Sequence, residues 1–264
     1  MQVKEFIRAK SLDEAYALLS SERSVIVAGG FWLKKMNQDY DRMIDLSLLN
    51  LGKIEELKDY IKVGSMVTQR DYENSPLIQS LFSDMSGFAV REIMSVPFRN
   101  SATIGGSIMG KYPFSDLITS LLCMDVTLEF YPQKEISLMD FLNSKEKNTS
   151  ILTSILIKKE NGKGYFKKVK TTALDFPLVN IAVSRVNKTY KIAIGSRPMV
   201  ASLCFKAMEY LNSLPNIPNE KEIEEASLIA ASELKFLNSY NISGEYRLAL
   251  AKTYIRRGLE EVNK

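Results

Sequence analysis

The 264-residue chain contains no histidine, only two cysteines and a single tryptophan. Without histidine there is no Ser-His-Asp or Cys-His nucleophile, and the commonest general base is missing. Cys123 and Cys204 are far apart and form no CxxC pair. They provide neither a disulfide framework nor the ligands of a zinc site or iron–sulfur cluster. Any such cluster must belong to another chain, and difficult chemistry here calls for a bound organic cofactor. No apolar run is long enough to span a membrane, and no signal-peptide core follows Met1, so a cytoplasmic location is expected. The 35 basic and 31 acidic side chains are interspersed, for a net charge of +4. There is no basic stripe with interleaved aromatics, which argues against nucleic-acid binding.

Two glycine pairs stand out against this plain background. One ends Ser24-Val25-Ile26-Val27-Ala28-Gly29-Gly30; the other lies in Arg99-Asn100-Ser101-Ala102-Thr103-Ile104-Gly105-Gly106-Ser107, followed by Ser115-Asp116. A strand ending in Gly-Gly lets backbone N–H groups approach a ligand with no Cβ in the way. One such turn is usually just a turn. Two in this order suggest a two-sided clamp on a phosphate-bearing ligand.

Strand and helix alternate through the first 160 residues. Ser11-Leu12-Asp13-Glu14 reads as a capping box, and Lys34 to Asp41 as a short helix or loop. Strands are expected at Arg42–Leu46, Tyr60–Met66, Val126–Tyr131 and Ile151–Ile157. Pro76 starts one helix running to about Glu92, with Leu77, Leu81, Met85 and Phe88 on one face. Pro97 halts any regular element, and Ser115 or Asp116 caps the next helix. After Glu160-Asn161-Gly162-Lys163-Gly164, a boundary or hairpin candidate, come three strand-like runs and three helices.

The joint order of these pieces resembles a known family: the FAD-binding (medium) subunit of the molybdenum hydroxylases, the xanthine dehydrogenase and carbon monoxide dehydrogenase group. The match runs from an SLDEA helix start through AGG, RNxATIGG and Ser-Asp-Leu. It continues with an FxKV strand and a C-terminal helix with Glu245-Tyr246-Arg247 and Arg256-Arg257. The resemblance implies an α+β chain: a PCMH-type FAD-binding α/β domain over 1–160, with subdomains of about 1–53 and 54–160. A C-terminal domain over 161–264 would consist of a three-stranded antiparallel sheet plus helices. It also implies FAD. Val27, Ala28, Gly29, Gly30, Phe31, Trp32 and Leu33 would form one pyrophosphate loop. Ala102, Thr103, Gly105, Gly106 and Ser107 would form the other, continuing to Met109 and Gly110. Asp116, beside Ser115, would accept from ribityl or ribose hydroxyls. Ile26 and Leu152 would touch the ring systems. Lys167, taken as the lysine after the aromatic in FxKV, would stabilise charge near the flavin. Partners would be an iron–sulfur subunit and a molybdenum-cofactor subunit, with electrons passing through FAD to NAD or another acceptor.

This chain departs from the family pattern at three places. Phe31 and Trp32 follow the first Gly-Gly where the family has small or polar residues. Ser107 stands where asparagine is common, and Lys111 and Tyr112 replace small residues before Pro113. The two rings can point away from FAD, stack on it or fill its site. Two rival functions stay open: a stand-alone flavin reductase of related fold, which would accept electrons from NADPH by itself, and an assembly subunit with a degenerate site, which would purify colourless.

Overall fold

The computed structural model describes residues 1–20, 23–36, 38–145, 149–239 and 242–264. They form two compact units, each assembled from three stretches of sequence. The first comprises Met1–Tyr72, Ser95–Gly110 and Val126–Ile157; the second comprises Glu73–Met94, Lys111–Asp125 and Lys158–Lys264. A division at residue 160 is therefore crossed by two segments, 73–94 and 111–125, that belong with the C-terminal stretch.

The first unit contains two sheets. β1 (Val3–Arg8), β2 (Ser24–Val27) and β3 (Tyr40–Asp45) are parallel in the order β1-β3-β2. The helix Leu12–Leu19 lies between β1 and β2 in sequence, and Ser11 Oγ accepts from Glu14 N at 3.1 Å to start it. The Glu14 carboxylate reaches back to Lys10 N at 2.7 Å, one residue beyond the position a capping box uses. The second sheet holds β4 (Ile54–Glu56), β5 (Tyr60–Gly64), β6 (Val126–Tyr131), β7 (Lys134–Ser137) and β8 (Ile151–Lys158), ordered β4-β5-β8-β6-β7. In β6, Val126, Leu128 and Phe130 are buried while their neighbours are half-buried, as the two-residue period requires. Ala9, Ala15, Ile44, Leu46 and Ile151 form a core that ties the two sheets together.

The second unit is built on an antiparallel sheet of β9 (Gly162–Val169), β10 (Val179–Val186), β11 (Thr189–Gly195) and β12 (Ser202–Leu203), in the order β12-β11-β10-β9. The sequence suggests three strands; the fourth is a two-residue edge strand, too short to show an alternation. The segment 160–164 links β8 to β9, which lie in different sheets, so it is a connection and not a hairpin. β10 is buried on both faces. Val179, Ile181 and Val183 enter an apolar core shared with the helices Phe205–Ser213, Glu220–Glu233 and Gly244–Asn263. Asn180, Ala182 and Ser184 face the helix Asp116–Leu122 and its C-cap, Cys123.

Two prolines behave differently from the sequence expectation. Pro76 starts a helix that ends at Gln79, and a new one begins at Met85 and ends at Arg91. Between them Phe82, Ser83 and Asp84 take left-handed φ angles of 49°, 54° and 63°, a conformation with no helical periodicity to betray it. Phe88 consequently points outward, 44% exposed. Pro97 breaks nothing: it sits in the first turn of the helix Val96–Ser101, where its missing N–H is not needed. Of Lys34–Asp41, the first residues belong to a 3-10 turn over Leu33–Lys35 and the last to β3, while Asn37 lies outside the described residues.

Candidate functional site

Both glycine pairs fall in the first unit, and the fold brings them together. After β2 the chain turns through Ala28, Gly29 and Gly30. A Cβ on Gly29 would overlap the carbonyl oxygen of Ser101, so the first loop rests on the end of the helix Val96–Ser101 that leads into the second. Gly30 has φ +65°, a conformation that suits glycine. The N–H groups of Gly29, Gly30 and Phe31 have no protein acceptor among the described residues. Phe31 and Trp32 turn toward Phe98 of the same helix, with ring centroids 4.5 and 6.3 Å away. The Lys35 ammonium lies 5.2 and 5.1 Å from the two ring centroids. The aromatic pair that departs from the family pattern is thus occupied in a cluster of its own. Leu33 opens the 3-10 turn.

The second glycine pair does not end a strand. Thr103 forms a bridge with Thr68, and its side chain caps the helix Ile104–Met109, accepting from Gly106 N at 3.1 Å. Gly105 and Gly106 lie in the first turn of that helix. The amides expected to face a phosphate are mostly spent inside the protein: Ile104 N bonds Val67 O, Gly105 N bonds Ser65 O and Ser107 N bonds Thr103 O. Gly105 is required by packing, since a Cβ there would lie 2.7 Å from the Cβ and the carbonyl oxygen of Ser65. Gly106 is different. It is exposed, and an added Cβ would meet only Thr103 Oγ1, at 3.1 Å.

The remaining expected residues are divided between the two units. Ile26 is half-buried against the core of the first unit, and Leu152 is buried at 4% exposure with little surface to offer a ligand. Met109 and Gly110 close the short helix, half-buried and exposed. Ser115, Asp116 and Lys167 belong to the second unit. There Ser115 caps the helix Asp116–Leu122 through a bond from Ile118 N at 3.2 Å. Asp116 is 2% exposed; its Oδ1 accepts from Asn180 Nδ2 at 2.6 Å and its Oδ2 faces Lys168 Nζ at 3.0 Å. Lys168 also donates to Glu92 O, and Thr119 donates to Asn180 Oδ1. Burial pushes the Asp116 carboxyl above its ordinary range, against the pull of Lys168 and Asn180. Asp116 is thus held by the protein itself, not presented as a free acceptor for hydroxyls.

Strand period decides between the two lysines. In the β9–β10 register Lys168 is opposite Asn180 and Lys167 opposite Ile181, so they point to opposite faces. Lys167 lies 5.6 Å from the ring centroid of Tyr254, on the helix Gly244–Asn263. The buried polar network therefore uses Lys168, which the sequence reading passed over for its neighbour.

A separate groove of about 800 Å³ on the first unit is lined by the five-stranded sheet and adjoining residues, including Lys62, Glu129 and Ser154. It contains no residue of either glycine loop, and Lys62 and Glu129 are already paired at 2.6 Å.

The family described as "FAD binding domain in molybdopterin dehydrogenase" matches residues 1–158, more than half of the chain. The chain belongs to this family. A second family, "CO dehydrogenase flavoprotein C-terminal domain", matches residues 164–262 of the same flavoprotein. The flavoprotein is 28% identical over 272 residues to the nicotine 6-hydroxylase medium subunit of Paenarthrobacter nicotinovorans, covering 95% of this chain and 94% of that one. It is 24% identical over 282 residues to the glyceraldehyde dehydrogenase medium chain of Sulfolobus acidocaldarius, covering 97% of each. Its fold is that of a chain in carbon monoxide dehydrogenase from Hydrogenophaga pseudoflava, with a TM-score of 0.89 at 20% identity, covering 98% of this chain and 96% of that one. The cofactor of this oxidoreductase family is FAD. Among the described residues, no helix of the flavoprotein is long and apolar enough to cross a membrane, and no cluster of side chains could hold a metal ion.

Proposed function

We propose that this chain is the FAD-carrying medium subunit of a molybdenum hydroxylase complex. In that role it accepts electrons from an iron–sulfur subunit, itself reduced by a molybdenum-cofactor subunit, and passes them to NAD or another acceptor. The observation that carries the reading is the seating of the first glycine loop on the helix that leads into the second, all within one compact unit. The residues fit the diphosphate of FAD. The N–H groups of Gly29, Gly30 and Phe31 are unspent, and Gly106 is exposed, with only the Thr103 hydroxyl near an added Cβ. The Thr103 hydroxyl accepts from Gly106 N and keeps its proton for a ligand. Val27, Ala28, Trp32 and Leu33 shape the first loop; Ala102, Gly105, Ser107, Met109 and Gly110 shape the second. When bound, FAD supplies the electron-transfer chemistry; the protein supplies placement and exclusion of water.

The visible spectrum of the purified chain, before and after addition of FAD and desalting, tests this. Retained flavin absorbance is expected. A folded chain that keeps no flavin, alone or with its partner subunits, would sink the reading in favour of an assembly role. Reduction of the bound flavin by NADH in the assembled complex distinguishes NAD from other acceptors.

A further inference from the structure

Gln69 is 3% exposed, at the start of the helix Gln69–Asn74. Its backbone N–H donates to Ala102 O at 2.7 Å, which fixes it to the entrance of the second glycine loop. Its side-chain Nε2 donates to Ser107 Oγ at 3.0 Å, and Ser107 Oγ donates to Thr103 O at 2.7 Å. A serine hydroxyl has one proton. With that proton on Thr103 O, the atom facing Ser107 must be the amide nitrogen, which fixes the orientation of Gln69. Its Oε1 is left buried without a partner, as is Ser65 Oγ beside Gly105. Two orphaned polar atoms against one loop call for an explanation, because each is costly to leave unsatisfied.

Resting on the FAD reading above, we propose that Gln69 is a positioning residue for the diphosphate loop. By donating to Ser107 Oγ, it fills a lone pair of that hydroxyl and leaves the proton free to turn. The proton sits on Thr103 O in the structure and swings to a phosphate oxygen when FAD binds. Gln69 thus fixes the polarity of Ser107 as a donor toward an anion. A carboxylate at position 69 would reverse that polarity by taking the Ser107 proton, and would add a negative charge beside the phosphates.

FAD titrations of the full-length chain test this by calorimetry, with the wild type, Gln69→Leu, Gln69→Glu, Ser107→Ala and the Gln69→Leu/Ser107→Ala double variant. Each neutral single variant is expected to weaken FAD about tenfold, the worth of one hydrogen bond. The double variant should be no weaker than the worse single, because the two residues act as one relay. Gln69→Glu should lose more, with a loss that shrinks as pH falls toward the carboxyl range, whereas wild type and Gln69→Leu show no such pH dependence. Losses that add in the double variant, or a Gln69→Glu chain that binds as wild type does at pH 8, would overturn the proposal. Thermal melts of the FAD-free variants run alongside. If Gln69→Leu does not fold, the near-isosteric Gln69→Glu decides alone. A folded wild type that binds no FAD would remove both readings; a wild type that binds FAD but shows additive losses removes only this one.

Discussion

Gly29 and Gly106 lack a side chain for opposite reasons, and substitutions should separate them. Gly29→Ala drives a methyl into the Ser101 carbonyl. It is expected to lower the stability of the FAD-free chain by about 2 kcal/mol or more, as forced overpacking against backbone does. At Gly106 an added Cβ meets only the Thr103 hydroxyl that caps the helix, at 3.1 Å. Gly106→Val should therefore cost that stability no more than the loss of this cap, about 1 kcal/mol, and yet abolish flavin retention. Melting curves and flavin absorbance on the same samples check both. Unchanged flavin content in Gly106→Val would refute the loop geometry. The two glycine pairs were legible in the sequence as elements that come together, but the backbone that carries the second pair was not. Thr103-Ile104-Gly105-Gly106 reads as a β-branched run into a turn, whereas a threonine cap makes it a helix start. Gln69 carried no signal at all, because one glutamine belongs to no motif and its partner Ser107 is far along the chain.

At the scale of elements, β9 shows how a two-residue period assigns adjacent lysines to different tasks. Lys168→Met leaves Asp116 buried without its cation, and is expected to cost about 3–5 kcal/mol, as breaking a buried ion pair does. Lys167→Met, on the other face, should change stability by about 1 kcal/mol at most, as loss of a half-buried cation–π contact would. The sign of the pH dependence follows from Asp116. Burial already raises its pKa above the ordinary 3.8, and loss of Lys168 raises it further. The penalty is therefore largest at neutral pH, where the unfolded chain gains by ionising, and shrinks as pH falls toward 3.8. Urea titrations at pH 7 and pH 4 measure it. The strand itself could be read from sequence, as β6, β8, β10 and β11 were. Which face held Asp116 could not, since that depends on a helix packed from a distant segment.

For the molecule as a whole, the two families that match the chain meet between residues 158 and 164, whereas the compact units are interwoven. A fragment of 161–264 would lack the helix Asp116–Leu122, which with its C-cap Cys123 covers Asn180 and Ser184 of β10. Expressed separately, the fragments 1–160 and 161–264 are expected to give no cooperative melt of their own, while the full chain gives one. A sharp transition in the C-terminal fragment would show that its sheet does not need the inserted segments. Local periodicity conveyed the strands and the late helices, but the interweaving has no local signature, because it is a matter of which distant segments share a core.

That threading has a consequence during synthesis. The segments 73–94 and 111–125 leave the ribosome well before β9 to β11, the strands of the unit they belong to. At about 5–20 residues per second the delay is several seconds. Throughout it Ile78, Met85, Val90, Leu117, Ile118 and Leu121, all buried in the finished protein, have only one another's helices, and none of the sheet of their unit, to cover them. The nascent flavoprotein therefore passes through a stage in which these helices lack the sheet that later covers them, and its yield in a cell should depend on chaperones that bind short apolar segments during translation.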